Sequence, residues 1–390
     1  MKKKIPINPE TLKWARESAS VLIEDVAQKM KKPREVIEDW ENENGASSPT
    51  YVQLEKLAYS IYKRPIALFF FPTPPEEITP KKSFRTLPES ELDELPSLFL
   101  RLFRQAQAMQ LNLEELNGGV NPASQIIFED LSFQPGSSVE SMVKAVRKYL
   151  GIDVKTQVSW RDTDVAFKAW RNKVEESGVF VFKEAFKQDE ISGFCLYDDT
   201  FPVIYINNSM PTTRQIFTLF HELGHLLLKA SGITKRNDAF IRRIHGDNKK
   251  IEVLCNRFAG EFLVPKADFD IIVSNIQIDE QIIQDLANRY SVSREVILRR
   301  CLEKKLIDRS YYEQKSKQWI KEAKEERVGS KGGNYYFNKA TYLGDNYLGL
   351  VFKKYYQSII SVDQVAEYLG VKIGSIAGLE TAFLARGETA

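Results

Sequence analysis

The sequence predicts an α+β chain, mostly helical, with a small mixed sheet packed on helices and an all-α domain at the N-terminus. Three observations carry this expectation. Apolar positions recur at helical spacing over most of the 390 residues. Strand-like runs are confined to residues 179–206. A segment with Pro72, Pro74, Pro75 and Pro80 separates the first helices from the rest.

In chain order, residues 8–64 read as short helices, with apolar positions at Leu12, Ala15, Leu22, Val26 and Ala27, then Val36, Ile37 and Trp40, then Leu54, Leu57 and Ala58. The polar stretch Asn42–Thr50, holding Gly45 and Pro49, is a loop. These helices make up an expected domain over residues 1–72. A proline-rich linker and a connecting helix (about 90–115) fill 73–134, and Asn117–Gln134 breaks the helical pattern. A third region, 135–275, holds a helix at 138–150 ending at Gly151 and another at about 163–176. Strands then follow at Val179–Phe182, Ile191–Tyr197 and Pro202–Ile206, with Asp198–Thr200 as a turn. From there the pattern is helical to the end, so 276–390 is expected to be a helical region, interrupted at Glu325–Asn334 by Gly329, Gly332 and Gly333.

At this length more than one domain is expected. The chain is 43% hydrophobic and 28% charged, which suffices for a sizeable core. With 55 basic and 53 acidic residues the net charge is +2, which excludes an overall polycationic binder. The three cysteines, Cys195, Cys255 and Cys301, are no disulfide framework and suit a reducing compartment. Lys2–Lys4 are not followed by the apolar run of a signal peptide, and the longest apolar run, Ile66–Phe71, is too short to span a bilayer. A cytoplasmic location without a membrane partner is expected.

The chemistry is concentrated at His221-Glu222-Leu223-Gly224-His225, an H-E-x-x-H motif. Pro211, Thr212 and Thr213 suit a helix start, and Ile216, Leu219, Phe220, Leu223, Leu226 and Leu227 make that helix a buried one. Residues four apart share a helix face, so both imidazoles can reach one metal. Glu222 lies beside them, placed to act as a base. The bland alternative is two core histidines flanking a glutamate. With three histidines in the chain, two in this register on an apolar helix make that an improbable accident. A buried glutamate without such a role would also be costly.

A catalytic zinc needs a third protein ligand and an open position. A metzincin arrangement would place a histidine at position 231, which is Ser231. A glutamate from a later helix fits better: Ile251–Ala259 reads as a buried helix in which Glu252 and Asn256 share a face. Glu252 is therefore expected to bind zinc while Asn256 steadies a ligand from behind. Cys255, Glu261 and His245 remain as alternative ligands. One zinc per chain is expected, with a small zincin-like sheet packed on the metal-binding helices. Zinc would activate water and polarise a peptide carbonyl, and Glu222 would take a proton and return it to the leaving amine. The strands at 191–206 are expected to offer an edge to an extended substrate. Tyr205 and Arg214 lie near in sequence, but no oxyanion-stabilising group can be named.

Phe217–Leu228, preceded by Val203–Asn208 and followed by Ile251–Pro265, resembles the ImmA/IrrE metallopeptidases over roughly residues 135–310. The resemblance implies zinc ligation by His221, His225 and Glu252. It also implies cleavage of a helix-turn-helix repressor encoded nearby. The first seventy residues resemble the XRE-type helix-turn-helix domain often fused to this family, through Leu12–Glu17, Trp40-Glu41, Pro49–Ala58 and Arg64–Phe70. DNA is thus a possible partner, through the N-terminal or the C-terminal helical domains. The expected groove helix of the N-terminal domain, Arg34–Glu43, nevertheless carries Glu35, Glu38, Asp39, Glu41 and Glu43 against one basic residue, and phosphates repel such a face. A protein-docking role is the alternative there. Helix pairs at Asp279–Ile307 and Val362–Leu384 have helix-turn-helix spacing, for which packing is the simpler reading. The alternative function is a DNA- or protein-binding transcription regulator, antitoxin-like, that keeps the zincin fold as a scaffold. An intact Glu222 argues against it. A hydrolase acting on small molecules is a more distant third.

Overall fold

The computed structural model describes residues 5–19, 21–62, 64–76, 79–84, 91–92, 95–235, 241, 243–274, 276–325 and 333–387. Most of the expected glycine-rich interruption at 325–334 lies outside the described residues. The chain forms two compact units, residues 1–83 with 89–105, and 84–88 with 106–390. Among the described residues, no helix is long and apolar enough to cross a membrane.

In the first unit, α1 (Pro9–Ser18) is capped by Asn8, whose side chain accepts from the backbone of Glu10 and Thr11. Helices α2 (Ile23–Met30) and α3 (Arg34–Trp40) are joined by a turn in which Lys31 is left-handed, at φ 53°. Then α4 (Tyr51–Glu55) opens on a Thr50–Gln53 capping box and continues as a π-helix, Lys56–Tyr62. Leu12, Ala15, Val26, Ile37, Trp40, Leu54, Leu57 and Phe69 share one core. Helix α3 stops at Trp40 rather than Glu43, because the Asp39 carboxylate accepts from the backbone of Ala46 and Ser47 at 2.8 Å each and draws the chain back. Arg34 is held by Glu24 at 2.6 Å and by Glu38 at 2.7 Å.

The second unit takes in α5 (Ser97–Asn117) from residue 106 onward and continues through α6 (Val139–Leu150) and α7 (Thr163–Glu176) to a four-stranded sheet. Its strands are β1 (Phe180–Glu184), β2 (Ile191–Leu196), β3 (Val203–Asn207) and β4 (Gly232–Lys235), in the order β1-β3-β2-β4. β1 runs parallel to β3, and β2 is antiparallel to both β3 and β4, so the sheet is mixed as expected. The fourth strand was not expected: Gly-Ile-Thr-Lys is too short to display a period of two. It also moves the edge. β2 and β3 are interior strands, so residues 191–206 offer no edge; among the described residues the outer strands are β1 and β4.

Both faces of the sheet are covered, which is why β2 and β3 are buried at every residue. On one face Val181, Cys195, Ile204 and Ile206 join the core that contains Leu219 and Leu223 of α8 (Thr212–Leu227). On the other, Tyr205 stacks on Phe194 at 5.3 Å, and Phe182 meets Tyr347 edge-on. Arg171 of α7 secures that second layer by donating to the carbonyls of Thr341 and Leu343 at 2.9 Å each, and to Val181.

Helix α9 (Gly246–Leu263) packs on α8 through an aromatic wedge. Phe220 and Phe262 stack at 4.2 Å, and fully buried Trp170 abuts both, at 4.9 and 5.3 Å. Truncating such a tryptophan costs about 3–5 kcal/mol, so the relative setting of α8 and α9 is stiff. Helices α10 (Glu280–Tyr290) and α11 (Arg294–Glu303), joined through left-handed Ser291, place Ile283, Leu286, Ile297 and Leu298 in the same core. The α11 arginines are engaged within the chain: Arg294 with Glu322, Arg299 with Glu295 and Arg300 with Glu261. Beyond α12 (Arg309–Glu325) come α13 (Tyr335–Leu343), α14 (Asp345–Tyr356), α15 (Val362–Leu369) and α16 (Ile376–Gly387).

Candidate metal centre

Helix α8 is apolar on nearly all sides and is accordingly buried through its whole second half. That environment encloses three polar side chains, His221, Glu222 and His225, which are 2%, 0% and 0% exposed. The four-residue spacing sets the two Nε2 atoms 3.1 Å apart. From α9, Glu252 brings Oε2 to 3.5 Å from His221 Nε2 and Oε1 to 3.4 Å from His225 Nε2. One donor atom from each of the three residues lies within 4.8 Å of the others.

Neither Glu252 oxygen has a hydrogen-bond partner among the described residues. A fully buried carboxylate in that state is costly unless a cation satisfies it. Two imidazole nitrogens and a carboxylate oxygen form a donor set that suits zinc and similar divalent ions. The residues therefore fit a metal. Burial opposes the charge on Glu252, yet the adjoining His225 and His221 outweigh it and bring the carboxyl down to about 2.

Asn256, one turn beyond Glu252, sets its Oδ1 3.1 Å from His221 Nδ1. With the proton on Nδ1 this is a hydrogen bond, and it turns the Nε2 lone pair toward Glu252. Cys255 is buried beside α8, its Sγ 3.2 Å from where a side chain at Gly224 would begin. Its thiol does not join the cluster of donors, and burial, foremost, raises its pKa. Glu261 is used elsewhere, paired with Arg300 at 2.6 Å and accepting from the Lys266 backbone at 2.8 Å. His245 is exposed at the start of α9. Of the four candidates for the third position, Glu252 is the one that clusters with both histidines, while Cys255 lies against His225.

Glu222 points from α8 to the sheet. Its Oε1 accepts from the backbone N–H of Thr234 at 3.0 Å and from the Thr234 hydroxyl at 2.5 Å. Its Oε2 is buried without a hydrogen-bond partner among the described residues, and the Cys195 thiol lies beside the carboxylate. Close approach is what the local sequence permits here. A Cβ on Gly232 would lie 2.4 Å from the His225 ring, and one on Gly193 would lie 2.5 Å from the Thr218 methyl. Arg214 braces the edge strand, donating to the Lys235 carbonyl at 2.9 Å and to Ser192 Oγ at 3.1 Å. Ser231 does likewise by accepting from the Tyr197 N–H at 2.9 Å. Tyr205 lies on the sheet face opposite α8 and serves the aromatic layer. Thr234 and Gly232 escaped the sequence reading. The available signal was a Gly-x-Thr alternation seven residues after the motif, too brief to stand out.

A family model described as the IrrE N-terminal-like domain, a peptidase family, matches residues 174–302. That span holds the strands β1–β4, both helices that carry the donor cluster, and α10 with α11 up to Leu302. No curated protein matches the chain. The match supports a metallopeptidase of the ImmA/IrrE type within this segment.

Proposed function

We propose that the chain is a zinc-dependent endopeptidase, with one zinc per chain, that cleaves a helix-turn-helix transcriptional repressor. The observation that carries this reading is the buried convergence of His221, His225 and Glu252 beside a glutamate with one unpartnered oxygen. When bound, zinc supplies a Lewis acid for the scissile carbonyl and makes water a nucleophile near neutral pH. The chain's own groups do the rest. His221, His225 and Glu252 hold the ion, and Asn256 orients His221. Glu222 Oε2 accepts the proton released from water and later donates it to the departing amine. An extended peptide pairing with the β4 edge would run alongside Glu222. The repressor as substrate follows from the family likeness.

The test is incubation of the zinc-loaded chain with the purified repressor encoded beside its gene, with fragments read by mass spectrometry. One defined cleavage supports the proposal. An intact repressor beside a cleaved unrelated peptide would contradict the substrate and keep the peptidase. A scaffold-only regulator is disfavoured, because such a protein has no need of a buried base at position 222.

For the N-terminal domain we favour a protein partner over DNA. Helix α3 exposes Glu35 and Glu38, and Arg34 pairs with Glu24 and Glu38, although Lys31 and Lys32 are exposed just before its start. Duplex DNA titrated with the full chain should then show no salt-dependent binding. A steep fall of affinity with salt would reverse that preference.

A further inference from the structure

We propose that Thr234 is a positioning residue for Glu222, fixing which carboxylate oxygen takes the proton; this rests on the peptidase reading above. Both donors of Thr234, N–H at 3.0 Å and Oγ–H at 2.5 Å, converge on one oxygen, Oε1. Oε2 is the atom left for proton transfer. Thr234 is itself 3% exposed, and its backbone is fixed by pairing with Gly193 in β2. Three further contacts keep β4 from drifting. Gly232 donates its N–H to Cys195 Sγ at 3.3 Å, Arg214 holds the Lys235 carbonyl at 2.9 Å, and Gly232 lets the strand lie against the His225 ring. A carboxylate carried on three rotatable bonds loses its aim when one of two donors goes, even if every metal ligand stays in place. The edge strand thus has a second duty besides pairing. It orients the base.

The experiment compares Thr234→Val and Thr234→Ser with the parent in the full chain, following cleavage, metal content and thermal midpoint. Valine keeps the shape and the backbone N–H but deletes the hydroxyl. It should lower kcat about 10- to 100-fold, as expected for losing a hydrogen bond to a charged group, with KM and metal stoichiometry unchanged. Serine restores the donor and should return most of kcat. Full activity in Thr234→Val, or no rescue by serine, overturns the proposal. A readout independent of cleavage is the thermal midpoint in two backgrounds. Thr234→Val should lower it by about 2–4 °C when Glu222 is present and by far less in Glu222→Ala. Equal shifts in both backgrounds overturn the contact itself. Coupling in a parent that cleaves no peptide overturns the peptidase reading and leaves Thr234 as the anchor of Glu222.

Discussion

Asn256 Oδ1 sits 3.1 Å from Nδ1 of His221, while Nε2 of the same ring lies 3.5 Å from Glu252 Oε2. One imidazole is thus held from behind and presented in front by two residues a single helical turn apart. Partners behind a ligand histidine typically contribute about 10- to 100-fold in metal affinity. Asn256→Ala should lose affinity in that range, and Asn256→Asp, which keeps an acceptor, should lose much less. Competition titration against a chelator measures both. Unchanged affinity in the alanine variant would deny Asn256 its role.

Glu252→Ala removes a donor and should abolish stoichiometric metal binding. Cys255→Ser, Glu261→Gln and His245→Ala should each retain the metal, because none of those side chains joins the cluster. Elemental analysis of the purified variants decides. Metal loss in Cys255→Ser with retention in Glu252→Ala would reassign the third position.

Gly232→Ala tests the close approach of the edge strand. The added Cβ would fall 2.4 Å from the His225 ring, so strand or ligand must move. Overpacking of this kind costs about 1–3 kcal/mol. The variant should show a lowered thermal midpoint together with weakened metal binding. Parent-like values for both would mean that β4 does not press on His225.

Lys183 in β1 gives a prediction about pH. Its ammonium lies 3.8 Å over the Phe167 ring, and burial, aided by Arg171, lowers it from 10.5 to about 7. The unfolded chain therefore binds the proton more readily than the folded one between those two values. Stability rises with pH across that window, and the penalty is fully present below about 7. Lys183→Met should stabilise the protein at about pH 6, with the gain fading toward about pH 10. Urea midpoints at the two ends measure this. A gain independent of pH would mean that Lys183 is not protonated at a cost.

The histidine pair and Glu252 were legible in the sequence because a helix records its faces in its spacing, and α8 and α9 are long enough to show it. The mixed sheet was legible as a class. Its edge was not, since β4 is four residues whose strand character comes from pairing with β2. Nor could the sequence tell which face Tyr205 takes: β3 is buried throughout, so alternation carries no sign of inside and outside. The Thr234–Glu222 contact joins two elements through the sheet register, a relation that no local pattern encodes. Arg171, one charged residue among several on α7, gave no hint that it would hold two distant carbonyls.

The most direct test of the central claim compares the parent chain with Glu222→Gln for zinc content and peptide cleavage together. The predicted result is one zinc per chain in both proteins and cleavage by the parent alone, since glutamine leaves every ligand in place and removes the base. Cleavage surviving in Glu222→Gln, or a parent that binds no zinc, would contradict it.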